Sequence, residues 1–280
     1  MKYANLHLHS TYSDACFTPE QLVFIGKALG YRALALTDHE TDGGCKAFFA
    51  AAVREEIDCV SGAEFYGMED GVCLHLTALD FDMDNPKLRA FIKERCDLYG
   101  EYTRKCFERG REIGVITDIT WNDVLDVTPE GSWICVNSVI NALNIKKAVP
   151  FDYNWADFRA KVFKAPETKA FKAPRPSAKE VIEVVRGADG VIALAHPYHQ
   201  THFVKQLVEY GLNGIEVSHP INYEDTTHLA MELAKEYNLY HCGGTDHTGP
   251  MSGCGGNLAI PVFHGITEQE FFELKERRRG

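Results

Sequence analysis

The chain has 280 residues, a formal net charge of −11, 45% hydrophobic and 25% charged residues, and no apolar run near the roughly 20 residues that cross a bilayer. That composition suits a folded globular protein with room for one large α/β domain, and its negative balance argues against a protein that coats long nucleic acid. Nine cysteines stand without a C-x-x-C pair, and residues 1–7 lack a secretory apolar stretch, so core thiols in a reducing cytoplasm are expected.

The first predicted strand is Asn5–His9. Residues two apart on a strand share a face, so His7 and His9 project together as half of a transition-metal site. Asp14 follows in the next loop. Thr18-Pro19-Glu20-Gln21 then starts a helix with Leu22, Ile25, Ala28 and Leu29 on one face and Gly30 at its close. The second strand, Ala33–Thr37, ends in Asp38-His39-Glu40. Asp38 reads as a residue that orients a neighbour or caps a turn, and Glu40 and Asp42 as loop residues. The third, Cys59–Ala63, runs into Glu64, and the fourth, Cys73–Leu79, contains His75.

The block 85–176 has a different character. It carries 16 Lys and Arg against 12 Asp and Glu, while the rest of the chain carries 13 against 28. It reads as helices at about 86–113, 121–125 and 139–147, followed by a basic, proline-bearing stretch at 161–176, and shows no strong strand. This predicts an inserted helical subdomain at 85–176, flanked by one unit formed from 1–84 plus 177–280.

Strand and helix alternate again after it. The capping box Ser177-Ala178-Lys179-Glu180 precedes the strand Val191–Ala195, which ends in His196-Pro197, with His199 and His202 beyond. The strand Gly214–Val217 leads to His219. The last strand, Leu239–Gly243, runs into Gly244-Thr245-Asp246-His247, and Thr267-Glu268-Gln269-Glu270 caps a final helix. His228, His241 and His264 read as structural. The alternation predicts an α/β fold with a parallel sheet, open or closed. Six strands each present a metal-competent side chain, most at the C-terminal end, where α/β barrels assemble active sites.

Together, His7-x-His9 with Ser13-Asp14, Thr37-Asp38-His39, Gly62-Ala63-Glu64, His75, Ala195-His196-Pro197 and Gly244-Thr245-Asp246 resemble the PHP (polymerase and histidinol phosphatase) family. The resemblance covers about 1–80 and 177–255. It implies a distorted seven-stranded (β/α) barrel, two or three divalent metal ions (Mn, Zn or Fe) and phosphate-ester hydrolysis. By position it implies that His7, His9, Glu64 and Asp246 hold one metal, that Glu64 bridges to a second shared with His75 and His196, and that Asp14 and His39 help hold a third. The family's last motif is usually Asp-x-His, whereas here His247 directly follows Asp246 and is the candidate metal ligand at that motif. The block 85–176 resembles the insertion of the family's nucleotide-acting subgroup, which carries an Arg and a His near the segment that here reads Cys135-Val136-Asn137-Ser138; this segment supplies neither, which speaks against a nucleotide substrate.

The expected function is hydrolysis of a small phosphomonoester or cyclic phosphodiester by a hydroxide shared between metals. Asp14 and His39 are placed at the chemistry, with His199 and His219 as further possible acids. The block 85–176 acts as a lid whose Lys169, Lys172 and Arg175, with His199 and His219 from the other unit, meet the substrate. Amidohydrolase-type C–N cleavage and a non-catalytic metal-binding module are the alternatives.

Overall fold

The structure, a computed structural model, describes residues 3–150, 153–172, 174–249 and 264–277. Two sheets organise it. Parallel strands β1 (Ala4–Asn5), β2 (Ala33–Ala35) and β3 (Asp58–Val60) form one, in that order. The other runs β4 (Gly62–Glu69), β5 (Val72–Leu79), β6 (Val191–Leu194), β7 (Gly214–Ser218) and β8 (Tyr240–Gly243). Isolated bridges between Leu8 and His247, and between His39 and Glu64, connect the two sheets.

The sheet is not parallel throughout. β4 pairs antiparallel with β5, and β5 with β6, whereas β6, β7 and β8 run parallel. Asp70 and Gly71 both take positive φ, 45° and 78°, and an Asp-Gly pair of this kind turns a two-residue hairpin. The short turn leaves no length for a crossover helix, so β5 must return beside β4.

Helices cover the sheets. α1 (Pro19–Ala28) begins in the predicted Thr18 capping box and packs with α2 (Cys45–Glu55) over Leu34 and Leu36. α7 (Ala178–Arg186), α8 (Val204–Glu209) and α9 (Glu224–Glu236) bury Val181, Ile182, Leu207 and Ala230 against Phe65, Leu76 and Leu194. α10 (Glu268–Arg277) places Phe271 and Leu274 beside Tyr240.

Between β5 and α7 the chain is helical, with no strand among its described residues: α3 (Pro86–Glu112), α4 (Trp121–Asp126), α5 (Val136–Ile145), α6 (Trp155–Val162) and a 3-10 turn at Pro166–Phe171. This segment has an apolar cluster of its own around Phe107, Ile116, Val139, Leu143 and Phe158. α3 belongs to both parts, because its first turns put Leu88 and Ile92 into the core beside Phe65. α6 lies mostly where the sequence reading assigned no element, between the helix expected at 139–147 and the basic stretch at 161–176. Its eight residues are ordered by burying Phe158 and Val162, which sit one turn apart.

Candidate metal centre

The strand ends meet at Glu64. This carboxylate is fully buried on β4, and five imidazoles surround it. Oε1 lies 3.4 Å from His7 Nε2, 3.0 Å from His75 Nδ1 and 3.3 Å from His196 Nε2. Oε2 lies 3.5 Å from His9 Nε2 and 2.9 Å from His39 Nδ1. Asp246 joins at 3.0 Å from His9 Nε2 and 3.7 Å from His7 Nε2. Asp14 stands 3.8 Å from both His9 Nδ1 and His39 Nε2.

The backbone explains why these side chains converge. His7 and His9 extend beyond β1 with alternating geometry, and β8 continues alongside, its Asp246 N–H donating to the His7 carbonyl. A side chain at Gly244 would meet His7 Cβ and N at 2.4 Å, so only glycine lets the two segments approach this closely. His196 and Asp246 sit at positive φ, 29° and 48°, backbone strain concentrated at the centre. Asp38 accepts bonds from Ser10 N (2.7 Å), Ser10 Oγ (2.6 Å) and Ser13 Oγ, which ties down the loop between His9 and Asp14.

Glu216, on β7, was not singled out from the sequence. It is fully buried, approaches His7 Nδ1 at 3.1 Å and accepts the His196 backbone N–H at 2.7 Å. The signal was present: a carboxylate in the otherwise apolar run Gly214–Val217 has no reason to be buried without a charged or hydrogen-bonding task.

The other predicted site residues are placed as follows. His219 is buried beside His7 and His196, its Nδ1 accepts the Ile221 N–H at 3.2 Å, and its Nε2 lies 3.5 Å from Asp246 Oδ2. His247 stacks on Phe17 with ring centres 5.7 Å apart and joins none of the side-chain groups that could share an ion; burial pushes its pKa down to about 4. His199 is exposed against Tyr198, away from Glu64. Lys172 is exposed beside Tyr102. Arg175 lies 4.4 Å over the Tyr66 ring and donates to Cys73 Sγ and Tyr99 Oη, so its guanidinium is already committed to the fold. Tyr66 in turn stacks on His39 at 5.0 Å.

Electrostatically, the cluster lacks something. Burial disfavours charge at these groups; at His75 it prevails and lowers the pKa, whereas at His39 and Glu64 the opposing charges prevail. Against burial, Glu64 and Asp14 raise His39 to about 9, while His75, His39 and His7 hold the Glu64 carboxyl well below its usual range. Even so, His7 Nε2, both His9 nitrogens, Asp14 Oδ1, His39 Nδ1 and Glu64 Oε2 are buried without a hydrogen-bond partner. Buried polar atoms seldom go unpaired. Here they point at shared space, and four overlapping triplets bring ligand atoms within 4.8 Å of one another: His7–His9–Asp246, His9–His39–Glu64, Glu64–His75–His196 and His7–Glu216–His219. Divalent cations bound by imidazole and carboxylate would satisfy these atoms, so the donor set fits such ions.

The PHP domain family pattern matches residues 5–253. This chain belongs to the PHP domain family. Among curated proteins the PHP chain is 26% identical to the 5'-3' exoribonuclease of Haemophilus influenzae, over 91% of its own length and 92% of that protein's. It is 27% identical to the phosphoribosyl 1,2-cyclic phosphate 1,2-diphosphodiesterase of Eggerthella lenta, over 88% and 94%. Among solved structures, a Bifidobacterium adolescentis protein assigned provisionally as a metal-dependent phosphoesterase superposes with a TM-score of 0.79 at 25% identity, covering 99% of the PHP chain and 96% of its own.

Proposed function

We propose that this PHP-domain chain is a metal-dependent phosphoesterase that hydrolyses a small phosphomonoester or cyclic phosphodiester, using two or three Mn, Zn or Fe ions held around Glu64. The observation that carries the reading is the gathering of five imidazoles within 3.5 Å of one buried carboxylate. When bound, such ions supply Lewis acidity toward phosphoryl oxygens and make a ligated water acidic enough to react near neutral pH.

The chain's own residues do the rest. His7, His9 and Asp246 would hold one ion, His75 and His196 a second with Glu64 between them, and Asp14 with His39 a third. Glu216 fixes the His7 ring so that Nε2 faces the ions, a task that partner carboxylates perform for ligating histidines. His219 has a different part. Its Nδ1 already accepts the Ile221 N–H, so a neutral ring carries its proton on Nε2. That buried atom has no hydrogen-bond partner and stands beside Asp246, which suits it to donate a proton to the departing alkoxide.

The two bridged sheets support reading β1, β2 and β4–β8 as the family's seven-stranded ring. The helical segment 85–176 acts over it as a lid. Among the described residues, Cys45, Cys106, Cys135 and Cys242 are buried free thiols, in keeping with a cytoplasmic site of action. A second reading, removal of nucleotides from an RNA 5' end, is favoured by the likeness to the Haemophilus influenzae protein.

The deciding experiment is phosphate release from sugar phosphates, nucleotides, cyclic phosphates and a 5'-phosphorylated RNA, with amides in parallel, by metal-loaded protein. Release from small esters is expected; hydrolysis of amides alone would overturn the proposal.

A further inference from the structure

We infer that Arg175 and Trp133, both from the helical segment between β5 and α7, are positioning residues for His39, and that the ion held by Asp14 and His39 depends on that segment while the other ions do not. The inference rests on the reading of the Glu64 cluster as a phosphoesterase metal centre. It goes beyond that reading by dividing the ion positions into those that the sheets build alone and one that the helical segment completes.

A ligating imidazole is normally oriented by a partner on its other nitrogen. His7 follows this rule, with Glu216 at Nδ1 and Nε2 facing the cluster. Among the described residues, His39 has no such partner outside the centre. Its Nδ1 lies 2.9 Å from Glu64 and its Nε2 3.8 Å from Asp14, so both nitrogens face groups of the centre. Orientation then falls to what packs on the ring. Apart from His9 and His75, which belong to the centre, the rings against it are those of Tyr66, stacked at 5.0 Å, and Trp133, at 5.4 Å. Both are buried.

The helical segment braces both rings. Arg175 lies 4.4 Å over Tyr66, a cation–π contact that strengthens when shielded from water. Its guanidinium is fixed in turn by donating to Tyr99 Oη on α3 at 2.8 Å and to Cys73 Sγ. Tyr99 packs on Trp133 with ring centres 4.6 Å apart, so the two braces share one support. Trp133 also reaches the metal-side loop, its backbone N–H donating to the Tyr12 carbonyl at 2.9 Å. The same segment holds the loop of the second ligand: Asn137 Nδ2 donates to the Asp14 carbonyl, and Cys135 Sγ to that of Ser13 at 3.5 Å.

The remaining positions are set by the sheets. Glu216 on β7 holds both the His7 ring and the His196 backbone, and the Asp246 N–H donates to the His7 carbonyl. Tyr66 also meets His75 edge-on at 4.7 Å. That contact follows from the strand register, in which Tyr66 and His75 are direct partners on β4 and β5, and needs nothing from the helical segment.

The test counts ions. Wild type, Arg175→Met, Arg175→Lys, Trp133→Leu, His39→Ala and the double variant of Arg175→Met with His39→Ala are stripped with a chelator and titrated with Mn(II). Calorimetry reads the affinities and elemental analysis the stoichiometry. Lys161→Ala, in an exposed ion pair with Asp157 on the same segment, is the control and should match wild type. Arg175→Met and Trp133→Leu should each weaken one class of ion by about tenfold to a hundredfold and leave the rest at wild-type affinity. Arg175→Lys, which keeps a cation for Tyr66, should recover part of the loss. His39→Ala should weaken the same class, and adding Arg175→Met to it should bring little further loss, because both act through one ring. Should Arg175→Met fail to fold, Tyr99→Phe, which removes only the hydroxyl that receives Arg175, takes its place with the same expectation in smaller measure. Unchanged ion binding in both Arg175→Met and Trp133→Leu, a loss spread equally over all ions, or effects of Arg175→Met and His39→Ala that simply add would overturn the inference. Phosphate release is scored separately. An inactive wild type that shows the selective, His39-dependent loss contradicts the phosphoesterase reading and supports the inference, whereas a wild type that takes up no ion overturns both.

Discussion

Glu216 stands 3.1 Å from Nδ1 of His7, and the opposite nitrogen of the same ring, Nε2, points at Glu64 3.4 Å away. A carboxylate behind one imidazole thereby determines which nitrogen faces the cluster. It also accepts the backbone N–H of His196, a residue at strained positive φ, so two elements of the centre depend on it. Removing this support should cost about ten- to a hundredfold in metal affinity. Glu216→Gln, which keeps an acceptor, should lie near the lower end and Glu216→Ala near the upper. Competition with a chromophoric chelator measures both, and wild-type affinity in Glu216→Ala would show that His7 needs no such partner.

Glu64 and His241 offer a contrast between the centre and its surroundings. Glu64→Ala should lower metal content and turnover by orders of magnitude, because each of its oxygens serves a different set of imidazoles. His241 instead lies 3.4 Å from Glu270 on α10, and His241→Ala should change neither metal content nor turnover. Comparable damage in the two variants, measured by metal analysis and phosphate release, would mean that the cluster has been drawn around the wrong residues.

The same Glu270 predicts an acid sensitivity. The His241 hydrogen bond and those from Thr267, which Glu270 caps through its backbone N–H and hydroxyl, lower its pKa from 4.5 to about 2. A depressed carboxylate contributes stability that is present above the unfolded value and lost as pH falls through the folded one. Glu270→Gln should therefore destabilise by about 1 kcal/mol at neutral pH, the scale of a helix cap. The difference from wild type should fade between about pH 4.5 and 2. Urea unfolding at pH 7 and pH 3 tests this, and a difference that persists undiminished in acid would exclude the charge as its source.

If His219 donates the leaving-group proton, its loss should depend on the leaving group. His219→Gln should slow release of an alkyl alcohol from phosphate by about 10²–10⁴-fold. It should affect a p-nitrophenyl ester far less, because nitrophenolate departs without protonation. Equal slowing of both substrates would place His219 in a merely supporting role.

Much of this architecture is legible from local chemistry. Thr18, Ser177 and Thr267 each form the capping box that their sequences announce, and the two-residue period carries His7 and His9 to one centre. What escapes a linear reading depends on distant partners. The β4–β5 hairpin was signalled by Asp70-Gly71, yet strand composition alone does not distinguish an antiparallel return from a crossover. Glu216 acquires its meaning from His7, which lies 209 positions away. Arg175, expected from its basic stretch to meet the substrate, is engaged by Tyr66, Tyr99 and Cys73.

The central claim is that the unpaired atoms around Glu64 exist to hold divalent ions for phosphoester hydrolysis. The most direct measurement is elemental analysis of the purified chain combined with phosphate release before chelation, after chelation and after adding back Mn or Zn. The account predicts at least two ions per chain, activity abolished on their removal and activity restored on their return. Undiminished phosphate release by protein shown to contain no metal would contradict it.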